Sequence, residues 1–230
     1  MNGTSTYKYL TLFLVLNICF QLVSDVTAGK IIEVAGIGVS VTVLYFPITF
    51  VIADILTEVY GYAEARRVIW YTMLASVIAG IFYQLVVYVP AAPGFANGPA
   101  YQTVLGIVPR VLIGAWLAIF SGDMSNNYVL AKMKVMTRGR FLWLRTIGST
   151  VVGQGVNTVV FYVVALGGVI KSDELVMAIL AGWIFKTLVE AVLTPVTYLV
   201  VGYLKRSEGV DVYDDQTDFN PFSMSTGEQR

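Results

Sequence analysis

The stretch FPITFVIADILTEVYGYAEARRVIW, Phe46–Trp70, decides how the chain is read. It opens as an apolar run fit for a bilayer, carries Asp54 and Glu58 inside that run, and only then reaches the basic pair Arg66 and Arg67. Residues four apart share one face of a helix. A charged side chain at the centre of a spanning helix costs about 2.5–3.5 kcal/mol on insertion scales. The face that carries both acids is therefore expected to point inward, toward other polar groups or a watery cavity.

The remaining sequence fits a membrane bundle. Of 230 residues, 57% are hydrophobic and 13% are charged, against about 25% charged in soluble domains. Six segments approach the roughly 20 apolar residues that a bilayer core requires. They are Tyr7 to Val26, Thr42 to Tyr60, Val68 to Val89, Thr103 to Tyr128, Arg145 to Val169 and Leu175 to Leu204. The connectors are punctuated: VPAAPGFANGP separates the third and fourth spans, and KSDE turns between the fifth and sixth. The expectation is an all-α polytopic protein, with a six-helix transmembrane domain over residues 1–206 and an acidic tail over residues 207–230. The tail holds Glu208, Asp211, Asp214, Asp215, Asp218 and Glu228 and reads as solvated and mobile. DFNPF is its one piece with enough aromatic content to dock.

Basic loops stay in the cytoplasm. Arg66 and Arg67 follow the second span, and Lys132, Lys134, Arg138, Arg140 and Arg145 follow the fourth. Lys205 and Arg206 end the sixth, whereas the alternate side offers Lys30 and Lys171. Both termini are accordingly expected in the cytoplasm. VTA before Gly29 loosely resembles a signal-peptide cleavage site. The apolar stretch is longer than an h-region and contains Asn17 and Gln21, which favours a retained helix.

Composition excludes several chemistries. With no histidine and the single Cys19, there is no disulfide within the chain, no His-based metal site and no Ser-His triad. No cofactor or metal is expected. No GxxxxGK[ST] run is present to bind a nucleotide for hydrolysis.

Asp54, Glu58, Arg110, Asp123, Lys186 and Glu190 all fall within expected spans. In lipid, these six together would cost about 15 kcal/mol, so they must face one another or water. Asn17, Gln21, Ser24 and Asp25 stripe the first helix, and Asp123, Asn126 and Asn127 cluster on the fourth. Gln154 and Asn157 share a face of the fifth, as Lys186 and Glu190 do on the sixth. Converging stripes predict a polar chamber. Arg110 is the expected cross-helix partner of Asp54. Plainer readings stand beside these: Lys186 can pair with Glu190 along its own helix, Glu58 with Arg66 or Arg67, and the amides can join helices to each other. Trp183 shares a face with Lys186, where it either packs the core or lines the chamber.

FPITFVIADILTEVYGYAEARRVIW, SGDMSNNYVLAKMKVMTRGRFLWLRTIGSTVVGQGVNTVVFY and WIFKTLVEAVLTPVTYLVVGYL together resemble the queuosine precursor transporter family, also called the vitamin uptake transporter family. VSDVTAGKI and the tail EGVDVYDDQTDFNPF add to the likeness, which spans nearly the whole chain. The resemblance implies import of 7-cyano-7-deazaguanine or 7-aminomethyl-7-deazaguanine across a bacterial inner membrane. It also implies an architecture similar to the substrate-binding subunits of energy-coupling-factor transporters. By this resemblance the family's motif residues fall on Asp54, Glu58, Arg66, Arg67 and Lys186. The chain departs from the family at Asn157 and Asn126, where many members carry Asp.

A guanine-like edge sets a ring N–H beside an exocyclic amine, and one carboxylate accepts both. Asp54, Asn157, Gln154 and Lys186 are expected to supply such contacts, with Trp183 or a tyrosine stacking on the ring. Glu190, Arg110, Asp25, Asp123, Asn126 and Glu58 complete the candidate set. The expected partners are a small-molecule substrate and the bilayer, not nucleic acid, and a homodimer is compatible. Two other functions are compatible with the sequence: a binding subunit of a multi-component ATP-driven importer, and an intramembrane enzyme using Asp54 and Glu58 as an acid/base pair.

Overall fold

A computed structural model describes residues 7–34, 37–106, 109–168 and 171–223. Val169, the expected end of the fifth span, and Glu228 of the tail lie outside them. The described elements run α1 (Leu10–Thr27), β1 (Ile31–Val34), β2 (Ile37–Ser40), a 3-10 turn (Val41–Leu44), α2 (Pro47–Tyr60), α3 (Tyr62–Tyr88), α4 (Gly98–Leu105), α5 (Pro109–Met136), α6 (Leu142–Leu166) and α7 (Ser172–Glu208). The two strands pair antiparallel, with Ile31 opposite Ser40. They form the one departure from helix among the described elements.

Five stretches are long and apolar enough to cross a membrane: Leu10–Thr27, Tyr62–Tyr88, Gly98–Met136, Leu142–Ala165 and Leu175–Glu208. Their outer faces are apolar. Val192 and Leu199 of α7, for example, are 76% and 75% exposed, as lipid-facing side chains should be. At 37 residues, α7 is about 55 Å long, well beyond the ~30 Å hydrocarbon core, so its last turn carries Lys205 and Arg206 past the apolar slab.

The second expected span is different. Pro47 starts α2 at a position where a missing N–H costs nothing, and the helix has only 14 residues, about 21 Å. Every residue of α2 except Ile48 is buried. It contacts α1, α3, α5 and α7, so it is the axis around which the others stand. Val51, Ile52, Ile55, Leu56 and Val59 form the core with Val68, Leu142, Val201 and Leu204. A helix with no lipid face can hold two acids, because each has protein to turn toward.

Helix α2 ends at Gly61, whose φ of +85° suits a residue without Cβ. A Cβ there would also meet Cγ1 of Val212 at 2.6 Å. That contact comes from the C-terminal tail, which does not float as expected but folds back on the helices. The Val212 N–H donates to the Val59 carbonyl at 3.3 Å. Asp214 accepts from the Tyr62 N–H, capping α3 from a distance. Arg66 donates to the Asp218 and Asn220 carbonyls at 2.7 Å. Trp70 donates to that of Pro221 at 2.8 Å. Phe219 packs against Tyr62 and Tyr128, and Phe222 against Trp70 and Phe120.

Candidate functional site

Two polar layers cross the bundle, and α2 contributes one acid to each. The first is built on Asp54. The Asn126 Nδ2 of α5 donates to the Asp54 Oδ1 at 2.7 Å. Ser149 of α6 and Glu190 of α7 also reach the Asp54 carboxyl. Thr150 and Gln154 of α6 and Asp123 of α5 lie near Glu190; Asn127, Gln154, Thr150 and Thr158 are each 0–1% exposed, with Asn157, Glu190 and Asp123 at 3%, 3% and 6%. Thr150 donates its hydroxyl to Glu190. Lys186 donates to Oδ1 of Asn157 at 3.2 Å and lies 4.9 Å from the Phe46 ring centroid.

Close packing of α5 on α6 assembles this layer. A Cβ on Gly122 would meet Cβ of Asn157 at 2.6 Å, and one on Gly153 would meet Cβ of Asn126 at 2.6 Å. Each glycine thus receives the asparagine of the opposite helix. The sequence holds the same G-x-x-x-N spacing twice, in GDMSN and GQGVN, and small residues at such spacing let membrane helices approach. Residues 150, 154 and 157 then fall on one face of α6.

Many of these buried groups have no protein partner. Oδ1 of Asn126, both amide atoms of Asn127 and of Gln154, the hydroxyl of Thr158 and Oε2 of Glu190 are all without a hydrogen bond. Native interiors leave few polar atoms unpaired, and each costs about 1–3 kcal/mol. Single unpaired atoms also occur on Asn17, Thr57, Glu58, Arg145 and Thr187, but here they gather on neighbouring residues of α5, α6 and α7. The polar groups of α5, α6 and α7 gather beside Asp54, but the expected stripe of α1 does not join them, since Asn17 and Asp25 bond Thr72 and Ser76 of α3, and the gathered groups close on one another. Two cavities, of about 390 and 350 Å³, lie elsewhere, against Tyr88, Phe95 and Tyr101 and against Tyr62, Tyr128 and Phe219. Neither is lined by Asp54 or the amides.

The second layer is built on Glu58, toward the basic end. Arg145 and Lys205 each meet its Oε1 at 2.7 Å, and Lys134 lies at 3.8 Å. Lys134 also donates to the Glu58 carbonyl and to Asp211, both at 2.6 Å. Lys205 meets Asp211 at 2.9 Å. Burial opposes ionisation of Asp211, but the hydrogen bonds from Lys134 and Lys205 outweigh it and hold the carboxyl below its usual range. Asp214 goes the other way: burial raises it, and the Thr217 hydroxyl and Tyr62 N–H offset only part.

Several expectations need correction. Arg110 is not the partner of Asp54. It is exposed and donates to the Val164 and Gly167 carbonyls, closing the end of α6. Glu58 pairs with neither Arg66 nor Arg67, and Lys186 does not pair with Glu190. Asp25 belongs to a separate contact, bonded by Gln21 and by Ser76 of α3. The Trp183 ring covers Gly155 and donates to the Val151 carbonyl, so it serves helix packing. Phe46, the aromatic beside Lys186, and Ser149 and Thr150 beside the carboxyls are not among the expected residues. Arg66, Lys134 and Arg145, read as loop charges, are buried at 0%, 0% and 1% exposure.

A family model described as "Putative vitamin uptake transporter" matches residues 40–200. A relative from Bacillus subtilis (strain 168), named "Probable queuosine precursor transporter", is 28% identical over 170 residues, 74% of each chain. No solved structure is significantly similar.

Proposed function

Because the chain belongs to the vitamin uptake transporter family, a family of multi-pass membrane proteins, we propose that it imports a 7-deazaguanine precursor of queuosine across a bacterial inner membrane. The observation that carries this reading is the set of unpaired buried amides around Asp54. Such a set matches a flat ligand rich in donors and acceptors. The carboxylate of Asp54 takes the ring N–H and exocyclic amine together, and the amides of Gln154 and Asn127 meet the remaining edges. A ligand lacking one of these groups would leave a buried protein atom unpaired, which is how such sites discriminate. Phe46 offers the ring face beside Lys186.

In this reading the basic end is cytoplasmic, and α2 with its 3-10 turn makes the sixth crossing, placing both termini inside. The closed packing of the Asp54 layer corresponds to the site between openings, and ligand enters when the helices around α2 part. A thermal-shift series on the purified protein tests the ligand class. The 7-cyano and 7-aminomethyl deazaguanines should raise the midpoint, since binding stabilises the folded state by mass action, and common vitamins should not. A vitamin that shifts the midpoint while the deazaguanines leave it unmoved would replace this reading.

A further inference from the structure

We propose that the bundle carries one proton with each ligand, held on Glu190 beside Asp54, so that import is driven by a proton gradient. This rests on the nucleobase reading above and deepens it.

The first ground is a charge count in the Asp54 layer. Asp54, Asp123 and Glu190 are all buried, and Lys186 is the cation among the described side chains there. Lys186 faces Asp123 and Asn157. Thr150 of α6 bonds Glu190, and the other groups that face it are Asp54 from α2, Gln154 from α6, near but not hydrogen-bonded, and Asp123 acting from α5. The neighbouring cations Arg145 and Lys205 are taken up by Glu58. Asp54 and Glu190 are therefore two buried carboxyls in reach of each other with no cation between them. Like charges so placed cannot both ionise.

Geometry assigns the proton. The Oδ1 of Asp54 already accepts an N–H from Asn126, which favours its charged form. On Glu190, Oε1 takes the Thr150 hydroxyl, while Oε2 is buried without a protein partner. A proton on Oε2 turns Glu190 into a donor next to the acceptor Asp54.

The pair with one proton complements the ligand. A guanine-like edge reads donor, donor, acceptor. Ionised Asp54 accepts the first two, and protonated Glu190 donates to the keto oxygen. With no proton, the keto oxygen faces a second negative charge. With two protons, the N–H groups lose their acceptor. Ligand thus binds with one proton, and both are released together on the other side.

Proteoliposomes containing the purified protein and labelled 7-cyano-7-deazaguanine or its 7-aminomethyl analogue test this. Exchange of internal for external ligand at equal pH reads the site alone. Its absence for both ligands removes the nucleobase reading and this inference with it. Given exchange, an inward gradient of one pH unit should drive accumulation toward about tenfold, the limit for one proton per ligand. Ligand addition should also acidify the lumen, read by a trapped pH dye. Exchange without gradient-driven accumulation, or accumulation driven by a sodium gradient at equal pH, overturns the proposal. Glu190→Gln removes the group that takes up the proton, so gradient-driven accumulation and acidification of the lumen should both be lost. A Glu190→Gln protein that still accumulates ligand under the gradient also overturns it. If that variant does not fold, the two wild-type measurements decide.

Discussion

Asp54 and Glu58 lie one turn apart on the same buried helix, and their surroundings differ in almost every respect. Glu58 meets the guanidinium of Arg145 and the ammonium of Lys205 within 2.7 Å, with Lys134 close behind. Asp54 meets an amide, a hydroxyl and another carboxyl. Around Glu58 the cations are also bonded to backbone carbonyls or to the tail. Around Asp54 whole amide groups are unpaired. Single atoms of the Glu58 layer, Oε2 of Glu58 and Nε of Arg145, are also unpaired, but its charges are matched by ion pairs, whereas the Asp54 layer leaves both atoms of two amides unpaired and, among the described residues, brings no cation to its carboxyl. A buried acid in a membrane helix is therefore ambiguous until its partners are known.

The largest effect should come from breaking the Glu58 layer. Glu58→Gln removes the charge that three buried or half-buried cations share. Removing one partner of a buried ion pair costs about 3–5 kcal/mol. Thermal unfolding in detergent should show a large drop or no recoverable folded protein. A midpoint near wild type would mean that the Arg145 and Lys205 contacts contribute little, and the contrast with Asp54 would dissolve.

Asp54→Asn should do the opposite. Asparagine still accepts from Asn126 and removes a charge with no cation nearby, so stability should change by less than about 1 kcal/mol. Precursor uptake should be lost, because a single amide oxygen cannot replace a carboxylate facing two N–H groups. Uptake assays beside unfolding curves check both halves. Lost stability together with lost uptake would make Asp54 a structural acid like Glu58.

What the sequence revealed follows the same division. The spacing of Asp54 and Glu58 was enough to predict an inward face, and the polar stripes of α5, α6 and α7 do converge. Helical counting does not give rotation about the axis. Arg110 is well placed by count to approach Asp54, yet it turns outward to close α6. The rule that places basic loops in the cytoplasm uses only position in the chain. It does not distinguish a solvated lysine from Lys134, which points back into the bundle. The paired G-x-x-x-N spacings of Gly122 and Gly153 were present to be read, and they locate Asn126 and Asn157 better than polarity alone. Acidity alone reads as solvation, and only the aromatic content of DFNPF hints at docking; the specific partners of Asp211 and Asp214 leave no mark in the sequence.

Those two acids give the smallest effect and the finest probe of the Glu58 layer. Asp211 is held below the usual carboxylate range by Lys134 and Lys205. Its contribution to docking is complete above the value of a free tail, about 3.9, and is lost as pH falls through the lower docked value. Asp214 is raised, chiefly by burial. Its docked form holds the proton more readily, so its effect is to weaken docking as pH climbs from the free value through the raised one. Docking should therefore be tightest near the ordinary carboxylate range and loosen modestly on either side. Hydrogen exchange at the Val212 amide, bonded to the Val59 carbonyl and corrected for intrinsic rate, reports it. Asp211→Asn should flatten the acid side and Asp214→Asn the other. A monotonic profile that neither variant alters would mean that the tail is held by Phe219 and Phe222 alone, and that the Glu58 layer ends at Lys205.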